Sequence, residues 1–397
     1  MLRYAANPFF REKPCWAGPV SQAFESTDIA DLHRSIPEYR PTPLVELPDL
    51  ARDLGVGKIL VKDEGLRFGL KAFKALGAAY ACYRFLREYL ENHGRGCPPA
   101  SLFYRGKLAL HPKELIFCTA TDGNHGRGVA WVARKLSQGA AIYMPSGSVA
   151  ARIDNIKGEG AEVVVVEGTY DEAVRQCVEN AGIHGWRIIS DTSWPGYERI
   201  PRWIMAGYLT MFREVQAALE PDVRVDSVIV PGGVGALAGA AAWYFRRESP
   251  WPKAKLVSVE PVEAACLLES ILSPAGEPTE SRGRQDSIMA GLNCGYPSPA
   301  AWPLIKQAFN LLVAVSDDRC LKAMRRYYHP SGSDPRIVSG ESGAAGLAAL
   351  LALAEDDSAV GARAGLGLGT EKTVLLINTE ADTDPIGFRQ RVLQAQP

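Results

Sequence analysis

The sequence lacks the features that would place it in several classes of protein. Its eight cysteines are widely spaced with no C-x-x-C pair, so zinc-ligand spacing is absent and a disulfide framework is not expected in so large a chain. No apolar run is long enough to cross a bilayer, and the N-terminus lacks the apolar core of a signal peptide. A net charge of −1 with scattered basic residues argues against a nucleic-acid partner. We therefore expect a cytoplasmic protein with no membrane or nucleic-acid partner and no metal site.

Two features of the cysteines and loops stay open at this point. Most of the cysteines are expected to be buried thiols that pack as small hydrophobic groups. Cys266 and Cys294 flank a loop-rich segment and could pair if that loop folds back. Residues 273–297 are rich in Gly, Pro, Ser and charge, which predicts a surface loop near a cleft and leaves open whether it acts as a lid.

Short β-branched runs alternate with helical patterns along most of the chain. An apolar fraction of 47% and a charged fraction of 22% are ordinary for a folded protein, and 397 residues leave room for two domains or one large α/β unit. Repeated β–α–β units of this kind predict an α/β fold with parallel sheets. We predict strands at 58–62, 115–119, 140–144, 162–167, 186–190, 226–230, 255–260 and 373–378, and helices at 126–136, 149–158, 170–181, 317–328 and 342–354.

The most informative stretch is the glycine-punctuated turn Thr121–Gly128, which follows a predicted strand and precedes a predicted helix. This arrangement presents backbone N–H groups to a small anionic ligand. Asn124 could hydrogen-bond a ring oxygen, and Asp122 is either a proton acceptor or an Asx-turn or N-cap residue. For His125 we favour the role of a satisfied structural histidine.

A lysine lies upstream in Ala72–Gly77, among apolar and small residues. Lys74 opens a predicted helix, and burial there is expected to lower its pKa and make it reactive toward carbonyl groups. Most lysines are solvated surface groups, and Lys71 in the same segment is a rival for this role. Together the lysine and the glycine-rich turn suggest a pyridoxal phosphate enzyme.

A second glycine-rich turn, Gly232–Gly239, also follows a strand and opens a helix, which suits a phosphate group. From Gly233 it matches G-x-G-x-x-A, and Glu260 ends the next strand where a ribose-binding acid would lie. A nicotinamide-dependent oxidoreductase is therefore a rival interpretation. It leaves the lysine and the first turn unexplained, because a dinucleotide fingerprint usually follows the first strand of its unit.

Three further residues lie at predicted strand or helix ends. Asp191 follows a strand at the carboxyl edge of a sheet, where α/β ligand clefts form, although it could simply cap the next helix. Thr379 ends the last strand in the same sense, and its hydroxyl could contact a pyridine nitrogen without protonating it. Glu341 is expected to be an ordinary acid at a helix start.

In this order and spacing the motifs resemble fold-type II pyridoxal phosphate enzymes, the relatives of the tryptophan synthase β subunit and threonine dehydratase. More narrowly, the chain resembles the diaminopropionate ammonia-lyases over nearly its whole length. The segments that carry this likeness are Arg67–Lys74, Thr121–Gly128, Asp191–Tyr197, Ile288–Leu292, Asp334–Gly343 and Glu380–Pro385. It departs from the pattern in the insert around 94–113 and in Glu380-Ala-Asp, where a glycine is expected after the glutamate.

The resemblance implies two α/β domains, each an open, mostly parallel sheet flanked by helices, with the cofactor between them. We place the large domain at 1–77 and 201–397 and the small inserted domain at 78–200. A homodimer is implied in the same way. The implied cofactor-binding residues are Lys74, which forms the Schiff base, its neighbour Phe73, Asn124 at the ring hydroxyl oxygen, the phosphate loop Gly232, Gly233, Val234, Gly235 and Ala236, and Thr379 at the pyridine nitrogen.

The implied activity is α,β-elimination of 2,3-diaminopropionate to pyruvate and two ammonia. Asp122 and Asp191 are implied to lie beside the substrate α-carbon, with Asp122 serving the D isomer and Asp191 the L isomer. A neutral threonine at the pyridine nitrogen would favour β-elimination over transamination. The alternatives are a serine or threonine dehydratase on the same fold, the oxidoreductase named above and, least favoured, a non-catalytic amino-acid-binding module.

Overall fold

A computed structural model describes residues 1–106, 108 and 110–394. The chain divides into two compact units. Unit 1 comprises residues 1–17, 41–66 and 211–397, and unit 2 comprises residues 18–40 and 67–210. These bounds differ from the predicted ones, because residues 18–40, 67–77 and 201–210 belong to unit 2 rather than to the large domain. Two residues of the 94–113 insert, Lys107 and Ala109, lie outside the described part of the chain.

The strands and helices follow one another in α/β fashion. The strands are β1 Leu2–Ala6, β2 Leu44–Glu46, β3 Lys58–Asp63, β4 Ile116–Ala120, β5 Gly139–Pro145, β6 Glu162–Val166, β7 Arg187–Ile188, β8 Ser227–Pro231, β9 Lys255–Pro261, β10 Leu311–Val315 and β11 Thr373–Asn378. The first eight helices are α1 Pro19–Phe24, α2 Ile29–Ser35, α3 Pro48–Asp53, α4 Ala75–Asn92, α5 Asn124–Lys135, α6 Ala150–Gly158, α7 Tyr170–His184 and α8 Arg199–Gly207. The remainder are α9 Leu209–Ala218, α10 Ala236–Trp243, α11 Cys266–Leu272, α12 Trp302–Ala308, α13 Asp317–Tyr328, α14 Glu341–Glu355, α15 Val360–Leu366 and α16 Pro385–Phe388.

Unit 1 is built on a sheet in which, among the described residues, seven strands run in the order β1-β10-β9-β8-β11-β3-β2. The five inner strands are parallel, and the two edge strands β1 and β2 pair antiparallel with their neighbours. The inner strands β8, β10 and β11 are buried along their whole length, as expected for parallel strands covered on both faces. Helix α14 packs against β8, β9, β10 and β11 and buries its alanine- and leucine-rich surface in the core.

Unit 2 contains a smaller parallel sheet in the order β6-β5-β4-β7. Helix α7 covers one face through Ala173, Cys177 and Ala181, which pack with Cys118 and Tyr143 of the strands. A capping box at Thr169 and Glu172 begins this helix, and Gly185 ends it in the left-handed conformation. The carboxyl ends of β4 and β7 lie at the same edge of this sheet, which is where the candidate site residues of unit 2 are found.

The α/β class with mostly parallel sheets agrees with the sequence-based prediction. The strand predicted at 58–62 is β3, which joins the sheet of unit 1 beside β11 rather than the sheet of residues 115–190. No helix in the described part of the chain is long and apolar enough to pass through a bilayer. All eight cysteines lie within the described residues and are thiols rather than disulfides.

Candidate active site

Lys74 lies immediately before the first residue of α4 in unit 2, as the sequence predicted. Its rival Lys71 lies in the preceding turn with a φ of 61°. Helix α5 approaches this point closely, since a Cβ atom on Gly128 would lie 3.1 Å from both N and Cα of Ala75. The glycines of the Thr121–Gly128 turn therefore allow the start of α5 to lie against the lysine, which side chains would prevent.

Helix α8 approaches the start of α4 from another side. A Cβ on Gly207 would lie 2.7 Å from the Leu76 carbonyl oxygen, and a Cβ on Gly77 would lie 2.7 Å from Tyr208 Cε1. The ring of Tyr208 packs against that of Phe73, with 4.7 Å between their centroids. Phe73, which the resemblance placed beside the cofactor, is thus a buried packing residue next to Lys74.

The Lys74 ammonium binds a carboxylate that follows β7. Lys74 Nζ donates to Asp191 Oδ2 over 2.5 Å, and the side chains are 20% and 9% exposed. Asp191 does not cap the next helix, whose N-cap residue is Glu198. The site interpretation of Asp191 is therefore favoured over the alternative of a helix cap.

The electrostatics of this ion pair correct one prediction. Burial opposes the charged form of Lys74, but the Asp191 carboxylate, with smaller contributions from Tyr208 and Asp122, raises the pKa of Lys74 above its ordinary value. The expected lowering of the Lys74 pKa by its apolar setting is therefore wrong for this state of the protein. Burial likewise opposes ionisation of Asp191, yet positive charge nearby, on the His125 ring when it is protonated and on the Lys74 ammonium, lowers the Asp191 pKa.

Side chains rather than a long strand hold Asp191 in place. Strand β7 is only two residues long. Beyond it, Tyr197 Oη donates to the Ile188 carbonyl oxygen at 2.8 Å and accepts from the Ser190 N–H at 3.0 Å. His125 Nε2 binds the Ile189 carbonyl oxygen at 2.7 Å. Two side chains thus fix the three residues before Asp191.

The Thr121–Gly128 turn forms the start of α5, with Gly123 as N-cap residue at φ 154°. Asp122 is therefore not the N-cap, and its carboxylate is close enough to Lys74 to raise the lysine pKa. Asn124 is the first residue of the helix and is partly exposed. Thr121 Oγ1 accepts the N–H groups of Gly123 and Gly126, which shapes the turn. Lysine, two aspartates and asparagine thus belong to one region of unit 2.

The second glycine-rich turn lies in unit 1 between β8 and α10. Gly233 and Gly235 have φ values of 59° and 101°, a conformation that L side chains rarely adopt. The N–H groups in the first turn of α10 have no acceptor within the helix and carry its positive end. This part of the chain, Gly232 to Ala236, has the backbone geometry of a phosphate site.

Glu260 supports this turn and does not have the position of a ribose-binding acid. Its carboxylate accepts the N–H groups of Leu267 and Leu268 at 2.8 and 2.9 Å, at the start of α11. A Cβ on Gly232 would lie 2.9 Å from Glu260 Cγ, so the side chain is enclosed beneath the turn. Burial raises the Glu260 pKa to about 8. The oxidoreductase interpretation thereby loses its acidic ligand.

The 273–297 segment packs over the same turn. A Cβ on Gly233 would lie 3.5 Å from the Gly291 carbonyl oxygen and 3.6 Å from Cys294 Sγ. Cys266 Sγ donates to the Gly233 carbonyl oxygen at 3.7 Å. The loop therefore does fold back as the sequence allowed, with Cys266 a buried thiol.

Two more predicted residues lie near the carboxyl end of β11 or at the start of α14. Thr379 directly follows β11 and is 4% exposed. Glu341 is the first residue of α14, as predicted, and accepts a hydrogen bond from Arg391 Nη1 at 2.5 Å. A buried hydroxyl at Thr379 is neutral, so it suits a pyridine nitrogen that carries no proton.

The residues present fit pyridoxal phosphate. Unit 2 supplies a lysine amine among buried groups, with a carboxylate that controls its proton. Unit 1 supplies a glycine turn in which a Cβ at position 232 would collide with its surroundings, and a helix N-terminus for the phosphate. Among the described residues no group of three or more His, Cys, Asp or Glu side chains could hold a metal ion.

Sequence motifs do not predict the state of two polar atoms near Lys74, the Tyr208 hydroxyl and His125 Nδ1. Tyr208 Oη is buried and has no hydrogen-bond partner among the described residues. His125 Nδ1 is also buried without a hydrogen-bond partner among the described residues, and it lies 3.8 Å from Asp191 Oδ2. The stretch Arg199–Tyr208 contains no glycine-rich turn or known motif, so only the folded chain brings Tyr208 to the lysine.

Comparison with known proteins places the chain in a family. The model of the family described as pyridoxal-phosphate dependent enzyme matches residues 36–376. The diaminopropionate ammonia-lyase of Escherichia coli strain K12 is 40% identical over 393 residues, which are 99% of this chain and 96% of that protein. That of Salmonella typhimurium strain LT2 is 39% identical over 365 residues, covering 90% of this chain and 89% of the relative.

A solved structure supports the same assignment. The crystal structure of the Escherichia coli diaminopropionate ammonia-lyase in complex with an aminoacrylate-PLP azomethine reaction intermediate matches with a TM-score of 0.87 at 40% identity, covering 99% of this chain and 97% of that one. The chain therefore belongs to the pyridoxal-phosphate dependent enzymes, and within them to the family of the diaminopropionate ammonia-lyases.

Proposed function

We propose that the chain catalyses the pyridoxal phosphate-dependent α,β-elimination of 2,3-diaminopropionate, in both D and L forms, to pyruvate and two ammonia. The observation that carries this proposal is the pairing of the partly buried Lys74 amine with Asp191 over 2.5 Å, with Asp122 in electrostatic range. The full-length similarity to proteins with this activity supports the same reaction.

The cofactor, when bound, supplies an aldehyde carbon for the lysine and an electron sink for the substrate. We assign the covalent link to Lys74, the ring hydroxyl contact to Asn124 and packing beside the lysine to Phe73. The backbone of Gly232, Gly233, Val234, Gly235 and Ala236 would bind the phosphate. Thr379 would face the pyridine nitrogen and leave it largely unprotonated, which favours loss of a β leaving group.

The two aspartates serve as bases for the two isomers in this proposal. One base reaches only one face of the substrate α-carbon, so we assign Asp122 to the D isomer and Asp191 to the L isomer. The Lys74 ammonium lowers the Asp191 pKa and so keeps this carboxylate a weak base. When that charge is absent, burial remains and raises the Asp191 pKa, which makes the carboxylate a stronger base.

The same carboxylates favour a substrate with two amines. A β-ammonium group is attracted by a nearby carboxylate, whereas the hydroxyl of serine or threonine is not. This distinguishes the proposed substrate from those of a serine or threonine dehydratase, which share the fold. Release of the β-amine as ammonia and hydrolysis of the remaining three-carbon unit give pyruvate and the second ammonia.

The test is to incubate the purified, cofactor-loaded protein with each isomer of 2,3-diaminopropionate and to measure pyruvate and ammonia. We expect two ammonia for each pyruvate and a higher kcat/KM than for serine or threonine. A higher kcat/KM for either hydroxy amino acid would identify a dehydratase instead. A protein that binds a nicotinamide cofactor and no yellow chromophore would identify the oxidoreductase.

The base assignment has its own test in the Asp122→Asn and Asp191→Asn variants. Loss of a general base lowers kcat by about 10²- to 10⁴-fold. We expect each variant to lose mainly one isomer, D for position 122 and L for position 191. Equal loss of both isomers in both variants would show that the aspartates do not act separately.

We also propose a homodimer, on the resemblance to the family. Light scattering coupled to size-exclusion chromatography measures the mass directly, to be compared with 43.0 kDa for one chain. A cytoplasmic location stays a prediction from the sequence.

A further inference from the structure

The hydrogen bond to Ile189 fixes which nitrogen of His125 carries the proton. Nε2 lies 2.7 Å from the Ile189 carbonyl oxygen, which can only accept, so Nε2 must be the donor. Burial lowers the His125 pKa, so the ring is neutral near pH 7. In the neutral ring with a proton on Nε2, Nδ1 presents a lone pair.

That lone pair lies near the carboxylate of Asp191. Nδ1 lies 3.8 Å from Asp191 Oδ2 and has no hydrogen-bond partner among the described residues. An ionised carboxylate and an unprotonated ring nitrogen are both acceptors, so no hydrogen bond can form between them. Two acceptors repel each other, which explains why Nδ1 and Oδ2 are 3.8 Å apart and form no hydrogen bond. Burial of an acceptor without a donor costs free energy, so the position of Nδ1 beside Asp191 needs an explanation.

Protonation of Asp191 supplies the missing donor. We propose that His125 is a positioning residue for the base Asp191: its Nδ1 accepts a hydrogen bond from the carboxylic acid that forms when Asp191 takes the α-proton of the L isomer. The substrate C–H bond breaks and an O–H bond forms at Oδ2. The C–H electron pair becomes the second bond between the α- and β-carbons, and the β-amine leaves with the electron pair of its C–N bond. This inference rests on the proposed function and adds a residue to the L-isomer half of the reaction.

The stage of the reaction at which Asp191 donates to Nδ1 determines which kinetic constant this hydrogen bond affects. The Oδ2–H···Nδ1 bond is absent before proton transfer and present after it. The proton lies between the α-carbon and Oδ2 during the transfer, so the bond to Nδ1 forms only when the new O–H turns toward the ring. It then opposes return of the proton to the α-carbon and stabilises the state from which the β-amine leaves, so it affects kcat more than KM. Lys74 is the other charged group that acts on the ring, and its ammonium opposes protonation of His125 itself. His125 therefore acts as an acceptor and not as a second general acid.

Tyr197 provides a matched control for a merely structural role. It holds the same short segment through Ile188 and Ser190, as His125 does through Ile189. The Tyr197 hydroxyl makes both of its bonds with backbone groups, whereas the free nitrogen of His125 faces the Asp191 carboxylate. The His125→Gln variant keeps an amide N–H for Ile189 and removes the Nδ1 lone pair.

The first measurement needs no turnover. Nitrogen-15 spectra of the full-length, cofactor-loaded protein with labelled histidine report the proton position on each of its six rings, and His125→Gln assigns the signal. We expect the proton on Nε2 and a bare Nδ1 at pH 7.5. A proton on Nδ1 would overturn the proposal outright. This result holds whether or not the protein turns out to process 2,3-diaminopropionate.

The second measurement compares both isomers in His125→Gln and Tyr197→Phe. Loss of one hydrogen bond that stabilises the state after proton transfer corresponds to about a tenfold fall in rate. We expect His125→Gln to lower kcat for the L isomer about tenfold relative to the D isomer with little change in KM. Tyr197→Phe loosens the same segment and measures the purely structural effect on the L-to-D ratio, which we expect to be clearly smaller. Equal loss of both isomers in His125→Gln, or the same shift of the ratio in Tyr197→Phe, would refute the role of the ring nitrogen.

Discussion

Gly128 of α5 lies against Ala75, the residue that follows Lys74, so closely that a Cβ atom would be 3.1 Å from the Ala75 backbone nitrogen. This contact joins the two segments that the sequence marked as most informative. It sets how far the turn with Asp122 and Asn124 lies from the reactive lysine. Substitution of this glycine therefore affects the site without changing any polar group.

We predict that Gly128→Ala moves the start of α4 by a few tenths of an ångström and lowers kcat/KM about tenfold or more, because catalysis is sensitive to such displacements. Overpacking should also cost roughly 1–3 kcal/mol in the free energy of unfolding. Both quantities are measured by steady-state kinetics and chemical denaturation.

The matched control is Gly182→Ala on the exposed side of α7, where an added Cβ meets nothing within 4 Å. Alanine favours helix over glycine by about 1 kcal/mol, so this variant should be at least as stable as the wild type with unchanged activity. Equal behaviour of the two variants would show that the contact with Ala75 is unimportant.

Lys74→Ala should abolish the tightly held yellow chromophore, because the covalent link is lost. Absorbance spectra after gel filtration measure this directly. The control is Lys71→Ala, which removes the neighbouring amine and should retain the chromophore. A Lys74→Ala protein that keeps the colour, with a Lys71→Ala protein that loses it, would transfer the role to Lys71.

Glu260 should make the stability of the protein depend on pH. Burial raises its folded pKa to about 8 from an ordinary value of 4.5. The folded state therefore binds more protons than the unfolded state between these values, and the free energy of unfolding falls as pH rises from about 4.5 to 8. Glu260→Gln removes this proton, so its stability relative to wild type should improve between pH 5 and pH 8. A relative stability that stays constant or worsens over that range would contradict the raised pKa.

Tyr208→Phe should separate activity from stability. The Tyr208 hydroxyl is buried without a partner among the described residues, so its removal costs no hydrogen bond and should leave the free energy of unfolding unchanged or higher. Because the hydroxyl lies near Lys74, we expect kcat/KM to fall. Tyr244→Phe is the comparison, since Tyr244 Oη donates to Gln216 at 2.6 Å and its loss should destabilise by about 1 kcal/mol. A clear destabilisation by Tyr208→Phe would mean that the hydroxyl has a structural partner.

The periodicity of apolar residues, together with residues typical of helix and strand ends, predicted much of the fold. Helix α13 and strand β11 have the predicted bounds, because an acidic first turn and a continuous β-branched and apolar run are strong local signals. Strands β1 and β10, by contrast, were not predicted. The sequence of β1, Leu-Arg-Tyr-Ala-Ala, has no β-branched residue, and its pairing with β10 joins parts of the chain more than 300 residues apart.

The sequence was sufficient to predict which residues belong to the candidate site. It was not sufficient to predict how their charges shift one another's pKa values. The motifs identified Lys74, Asp122 and Asp191, but the sign of the Lys74 pKa shift depends on a carboxylate 117 residues away. Apolar neighbours alone suggested a lowered pKa. His125 shows the same limit: Nε2 makes a structural bond to Ile189, but Nδ1 has no hydrogen-bond partner among the described residues, so the ring is not satisfied at both nitrogens as predicted.

The shortness of β7 has a consequence for motion. Strand β7 pairs through only two residues, so its hydrogen bonds do not protect the peptide groups that follow it. The Ser190 N–H is held instead by its hydrogen bond to the Tyr197 hydroxyl. Amide exchange at Ser190 should therefore report opening of this hydroxyl contact well below the free energy of global unfolding. The acid that we assign to the L isomer is thus attached to one of the first parts of its sheet to open.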